Sequence, residues 1–332
     1  MARTRLAIAF VLSLTLLLAG LVAWAWVSPE ILTDGCALDQ NAAWISADWT
    51  AEEVDEAAVR QLAEGAAHRQ LRYLFPFVTY VQADGSFSPS YGHASGFVTQ
   101  FRRSNQETLL LAWIGVPLQK QGALGVDGWV DLADQHTRME IATFAASLVQ
   151  DTGFDGVHLD VETVHDRDRN YLLLLDEVRV ALGPDPLLST ATGYWVPAVV
   201  DSLPVLGDYK WSGSYYQEAA SRVDQIAAMT YDSLMPNPMP YRTWMREQVK
   251  AIAESVAGTG VDLLIGLSVS REKTATHYLR AENLASGLDE ICAALEDGSH
   301  SIDGVAIYAA WEATSADWGV WDRWQGQSSE VK

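Results

Sequence analysis

Between residues 42 and 311 the sequence alternates eight short apolar runs with longer amphipathic stretches, and this alternation constrains the chain more than any other property. The runs cover 42–49, 71–80, 108–116, 156–162, 187–194, 225–231, 263–269 and 305–311, and each has the length and pattern of a strand. Helical periodicity is clearest over 51–66, 137–150, 171–181, 243–257 and 281–296. The last of these keeps Leu284, Leu288, Ile291 and Leu295 on one stripe. The stretch 197–223 has no such pattern and reads as a long loop with little helix. Strands that alternate with helices build a parallel sheet, and eight such units suit a closed α/β barrel of the TIM type, (β/α)8. No Gly-rich phosphate loop follows any of the runs, which argues against a dinucleotide-binding sheet. The expectation is one TIM-barrel domain over residues 41–332.

The N-terminus obeys a different rule. Residues 1–5 form a short basic stub, and residues 6–26 run without a charge. A helix of that length spans about 31 Å, enough to cross a bilayer core, and exceeds the roughly 7–15 apolar residues of a secretory signal. It is expected to remain as a transmembrane anchor; cleavage near Ala25 and secretion is the alternative. Arg3 and Arg5 would keep the stub cytoplasmic and place the barrel outside, beyond a linker at 27–40. In such a compartment Cys36 and Cys292 are able to pair, because a barrel brings its two ends together. The balance of 43 acidic against 22 basic residues, with a net charge of -21 and no basic run, disfavours nucleic acid as a partner. The 13 Trp and 12 Tyr serve packing, or the stacking of sugar rings.

The fourth run carries the chemistry. Strand side chains alternate, so in Asp155-Gly156-Val157-His158-Leu159-Asp160-Val161-Glu162 the valines and Leu159 face the helices. His158, Asp160 and Glu162 face the barrel interior. Three ionisable groups on an inner face are costly unless they serve a site. Barrel sites lie at the C-terminal strand ends, which puts Glu162 at the mouth. A metal held by these three is not expected, since only seven histidines exist and no second ligand cluster accompanies them.

The segment resembles the strand 4 signature of glycoside hydrolase family 18, the chitinase family, Asp-x-x-Asp-x-Asp-x-Glu with Gly often second. Asp155, Gly156, Asp160 and Glu162 match it, and His158 stands where the family usually has Asp. Met229-Thr230-Tyr231-Asp232 is similar to the family's Met-x-Tyr-Asp at the end of strand 6. Residues 304–311 resemble its last strand, which ends in Trp. The resemblance implies a substrate-assisted reaction in which the substrate's 2-acetamido oxygen attacks the anomeric carbon. Glu162 is then the general acid/base, Asp160 orients the acetamido N–H, and Tyr231 holds the acetamido oxygen. Asp232 assists, Trp311 stacks under the sugar and Met229 lines the pocket floor. The implied partner is a glycan containing N-acetylhexosamine, such as chitin oligosaccharide or peptidoglycan, with no cofactor. For His158, set among the substrate-binding residues, three states stay open: a neutral ring that accepts a proton from Asp160, a cation paired with Asp160, and a core histidine bonded to Asp160. Two other readings compete. One is a two-carboxylate retaining glycosidase that uses Glu162 and Glu272. The other is a chitinase-like protein that binds sugar without cleaving it.

Overall fold

A computed structural model of the chain describes residues 38–88, 91–119, 128–195, 211–296 and 298–326, with Cys36 and positions 15, 19, 20 and 23. Eight parallel strands follow one another around a closed barrel: β1 (Asn41–Ile45), β2 (Leu71–Tyr80), β3 (Leu109–Pro117), β4 (Gly156–Glu162), β5 (Leu187–Thr192), β6 (Gln225–Met229), β7 (Asp262–Ser268) and β8 (Gly304–Tyr308), with β8 pairing back onto β1. Every run read as a strand contains one. Four end two or more residues early, at Ile45, Thr192, Met229 and Tyr308. The apolar residues beyond those points continue the pattern, but the backbone ladder has stopped and the chain turns outward to build the barrel mouth. Trp49 lies in a helical turn, α1 (Asp48–Ala51), and Trp311 in a 3-10 turn at Ala310–Glu312.

The helices that follow are α2 (Glu56–His68), α3 (Ala94–Ser104), α4 (Gln135–Thr152), α5 (Arg169–Leu182), α6 (Gly213–Ala220), α7 (Pro238–Val256), α8 (Leu284–Leu295) and α9 (Ser315–Trp324). Within the stretch expected as loop, α6 is the one helix among the described residues. It is opened by Ser212, whose side chain accepts the Tyr215 N–H, and it buries Tyr215 and Tyr216. The periodicity over 281–296 overran the start of α8, which is capped by Asn283 accepting the Ser286 N–H at 3.0 Å. Ala281 and Glu282 therefore stand before the helix.

Two cores result. Val157, Leu159 and Val161 lie in the layer between strands and helices. Ala42, Trp44, Tyr73, Phe75, Leu111, Trp113, Ala227, Leu264 and Ala306 fill the barrel interior. At the closed end, Asp155, Asp224 and Asp303 each stand one residue before an even-numbered strand. They accept the backbone N–H of Leu110, Leu188 and Leu263 on the preceding strand, at 2.7, 2.7 and 2.8 Å. The guanidinium groups of Arg102 and Arg179 complete the first two. Next to Asp155, a Cβ on Gly156 would sit 2.0 Å from the Leu187 carbonyl oxygen, so only glycine fits. The Asp-Gly that opens the motif is thus structural, and lies at the opposite end of β4 from Glu162.

Cys36 and Cys292 form a disulfide with Cα atoms 5.3 Å apart, joining the approach to β1 to α8. Trp324 at the end of α9 donates its indole N–H to Cys292 Sγ at 3.2 Å. The apolar segment 6–26 lies outside the described residues except at the four positions named. Among the described residues no helix is long and apolar enough to cross a membrane.

Candidate active site

The inner face of β4 rises in layers. In the lowest, His158 is fully buried. Its Nε2 accepts the indole N–H of Trp44 from across the barrel at 3.0 Å, and its Nδ1 lies 2.8 Å from Ser189 Oγ. Ser189 in turn donates to Gln225 Oε1 at 2.8 Å. These directions assign the hydrogen to Nδ1 and leave a neutral ring. The ring also stacks on Phe75 at 4.0 Å. Burial agrees, lowering the His158 pKa to about 3. Both nitrogens are occupied, and neither by Asp160. His158 is therefore a satisfied interior histidine beneath the site. It offers no surface to a ligand, which corrects its place among the substrate-binding residues, and it does not form a cationic pair with Asp160.

One layer up, Asp160 Oδ2 accepts the indole N–H of Trp113 at 2.9 Å. Asp160 Oδ1 is buried, and among the described residues no other N–H or O–H reaches it. Glu162 is the next side chain on the same face, and the two carboxyls act on each other. The charge of Asp160 is the largest influence holding the Glu162 carboxyl well above its ordinary range, followed by burial and by the charge of Asp232. Burial pushes Asp160 itself up to about 6, against the hydrogen bonds from Trp113 and Glu162, which favour its charged form. Both influences favour a proton on Glu162 ahead of one on Asp160.

The segment after β6 brings up the other side. Thr230 is buried and donates its hydroxyl to the Gly266 carbonyl at 2.8 Å, which pins the chain as it leaves the wall. Tyr231 then stacks on Tyr308 with ring centres 5.2 Å apart and an 8° interplanar angle. Gly266 makes room for this, since a Cβ there would lie 2.8 Å from the Ala228 carbonyl oxygen and 3.3 Å from the Tyr231 ring. Met229, half-buried, pairs with the same glycine. Asp232 turns outward with φ 58°, its side chain 50% exposed. Trp311, 44% exposed, stacks on Trp113 at 6.4 Å and meets Tyr308 edge-on at 5.5 Å. The peptide bonds after Glu162 and Tyr308 are both cis.

Glu162, Asp160, Tyr231, Asp232, Met229 and Trp311 thus lie at one mouth, with two carboxyls side by side above an aromatic floor. Glu272 stands on the exposed loop after β7, and its charge is not among those that act on Glu162. Two contributors were not singled out as site residues from sequence. They are Trp113 and Tyr308, though the alternation that points Ala306 inward also points Tyr308 inward.

A sequence profile described as glycosyl hydrolases family 18 matches residues 71–326, most of the chain. The chain belongs to this family. It is accordingly a glycosidase of the chitinase family, built on the barrel described above. Solved structures of other family 18 and related proteins share that fold. A class V chitinase from Pseudomonas fluorescens Pf-5 aligns with a TM-score of 0.59 and 15% identity, over 86% of this chain and 98% of that one. The spore cortex-lytic enzyme SleL of Bacillus cereus gives 0.58 and 14%, over 91% of this chain and 77% of that one. A mutant family 18 chitinase from Cycas revoluta, in complex with (GlcNAc)4, gives 0.55 and 15%, over 87% and 100%. No curated protein matches the chain in sequence.

Proposed function

We propose that this family 18 glycosidase hydrolyses the bond beside an N-acetylhexosamine residue by substrate assistance, with Glu162 as general acid and then general base. The observation that carries the reading is the buried Asp160 Oδ1, without a hydrogen-bond partner among the described residues, one layer beneath Glu162 at the barrel mouth. Glu162 gives its proton to the leaving glycosidic oxygen as the substrate's acetamido oxygen attacks the anomeric carbon. Asp160 Oδ1, buried and without a hydrogen-bond partner among the described residues, takes the acetamido N–H and balances the positive charge that develops on that group. Tyr231, buried beside the pair, donates its hydroxyl to the acetamido oxygen and holds it in line. Water then opens the cyclic intermediate with Glu162 as base, and the configuration at the anomeric carbon is retained. Asp232 supports the protonated state of Glu162 through its charge, and Trp311 offers its exposed face to the sugar ring. Met229 lines the pocket floor.

Chitin oligosaccharide and peptidoglycan are the favoured substrates. A structural neighbour binds (GlcNAc)4, and another is a spore cortex-lytic enzyme. We infer that residues 6–26 hold the enzyme on a membrane with the barrel on the extracytoplasmic side; the Cys36–Cys292 disulfide supports an oxidising compartment. The test is a panel of chito-oligosaccharides, solubilised peptidoglycan and a high-mannose glycopeptide, with products read by mass spectrometry for wild type and Glu162→Gln. Cleavage next to N-acetylhexosamine, lost by about 10²-fold or more in the variant, is expected. Equal cleavage by both proteins contradicts the assignment of Glu162, and glycan binding without cleavage favours the sugar-binding reading.

A further inference from the structure

Behind Asp232 lies a second set of ionisable groups that the reaction above leaves unused. His277 and Glu282 are 5% and 1% exposed. Glu282 Oε2 accepts the Asp232 backbone N–H at 2.8 Å. Its Oε1 accepts the backbone N–H and the hydroxyl of Ser233, at 3.0 and 2.5 Å. One buried carboxylate therefore closes the turn that follows Tyr231. That turn needs closing, because Asp232 and Leu234 both have left-handed backbones, at φ 58° and 64°. Aspartate tolerates this region but leucine does so at a cost, and it persists only where surrounding bonds over-determine it.

His277 links the carboxylates. Its Nδ1 lies 3.0 Å from Glu282 Oε2 and 3.3 Å from Asp232 Oδ1, and its Nε2 lies 3.2 Å from the Ser270 carbonyl oxygen. Every neighbour of the ring is an acceptor, so both nitrogens carry hydrogen and the ring is a cation. Its pKa agrees, raised to about 10 by the hydrogen bonds to Asp232 and Glu282. The cation stands against the carboxylate whose charge raises Glu162.

We propose that His277 and Glu282 are positioning residues for the glycosidase: Glu282 fixes the left-handed turn that presents Tyr231 and Asp232 to the substrate, and the His277 cation offsets the Asp232 charge felt by Glu162. The inference rests on Glu162 being the acid. The groups facing Glu162 are Asp160 on its own strand, Tyr231 and Asp232 after β6, and Tyr308 on β8. Those facing the pair are Asp232, the Ser270 carbonyl and, through Glu282, Tyr241 of α7. Glu290 of α8 also acts on Tyr241 and is itself paired with Arg242 and Arg246.

The experiment is the pH dependence of kcat/KM on the N-acetylglucosamine tetramer for the full chain, comparing wild type, Glu162→Gln, His277→Gln, Glu282→Gln and Asp232→Asn. His277→Gln removes a cation, so Glu162 holds its proton more tightly and the alkaline limb moves up by roughly half a unit or more. Asp232→Asn removes the anion itself and moves that limb down. Glu282→Gln lowers kcat by about tenfold or more with a smaller change in KM, because the turn that places Tyr231 loosens. A uniform loss of rate in His277→Gln with an unmoved limb makes the histidine merely structural and overturns the inference. If His277→Gln fails to fold, the Asp232→Asn limb decides, and an unmoved limb there overturns it too. Activity lost on EDTA treatment and restored by zinc makes the three side chains metal ligands, and also overturns it. Wild type and Glu162→Gln behaving alike sinks the acid assignment first, and is distinguishable from all of these.

Discussion

The mutual influence of the Asp160 and Glu162 carboxyls sets the pH dependence expected of the proposed reaction. Turnover needs Glu162 protonated and Asp160 ionised. Asp160 is pushed up to about 6 by burial, so kcat/KM falls as pH drops through that region and Asp160 gains its own proton. It falls again on the alkaline side, where Glu162 loses the proton that Asp160 helps it keep; the two limbs belong to the pair as a unit. In Asp160→Asn the largest influence raising Glu162 is gone, and the alkaline limb moves to lower pH. Initial rates across the pH range check this, and a limb that stays put contradicts the coupling. His158 behaves differently because it is neutral. His158→Leu leaves the buried Trp44 indole N–H without its acceptor, costing roughly 1–3 kcal/mol, while Ser189 keeps its bond to Gln225. The denaturation midpoint falls while the pH limbs of the remaining activity keep their places. The inward phase of His158, Asp160 and Glu162 was legible from strand alternation alone. The charge state of His158 was not, because its partners arrive from β1 and β5, 114 and 31 residues away along the chain.

At the scale of elements, the apolar runs located all eight strands but not where four of them stop. Past Met229 and Tyr308 the residues remain apolar or aromatic because they face the mouth, so hydropathy continues after the ladder ends. Tyr231 and Trp311 are functional candidates for that reason: they sit on backbone that has left the wall. The lower end of the barrel was less legible. Asp155 belongs to the motif yet accepts the Leu110 N–H and the Arg102 guanidinium at the closed end, a role repeated by Asp224 and Asp303 with no motif to announce it. Asp155→Ala orphans that N–H and lowers stability by about 1–3 kcal/mol. Because β4 separates it from Glu162 by about 20 Å, kcat of the folded fraction stays unchanged. Chemical denaturation and turnover on the same preparation check both halves. Glu282, read as part of a helix, turned out to precede α8, since Asn283 is its cap. Its bonds to Asp232 and Ser233, 50 and 49 residues distant, leave no local trace.

For the whole molecule, eight strand–helix units were enough to anticipate closure, because with β7 on one edge of β8 and β2 on one edge of β1, the two free edges have each other to pair with. The disulfide was open from sequence, since Cys36 and Cys292 are 256 residues apart and only closure brings them within 5.3 Å. Reducing it unties the approach to β1 from α8 and lowers stability by roughly 2–5 kcal/mol. The thermal midpoint with and without reductant checks this, and an unchanged midpoint contradicts it. In the proposed reaction the substrate's own acetamido group, beside the general acid Glu162, does the work of a nucleophilic carboxylate. Its most direct test is the hydrolysis rate of the N-acetylglucosamine tetramer against the same tetramer with its acetyl groups removed. Substrate assistance predicts cleavage of the acetylated sugar and a loss of about 10²-fold or more for the deacetylated one. Equal rates on the two would contradict it and return the search for a nucleophile to a second carboxylate.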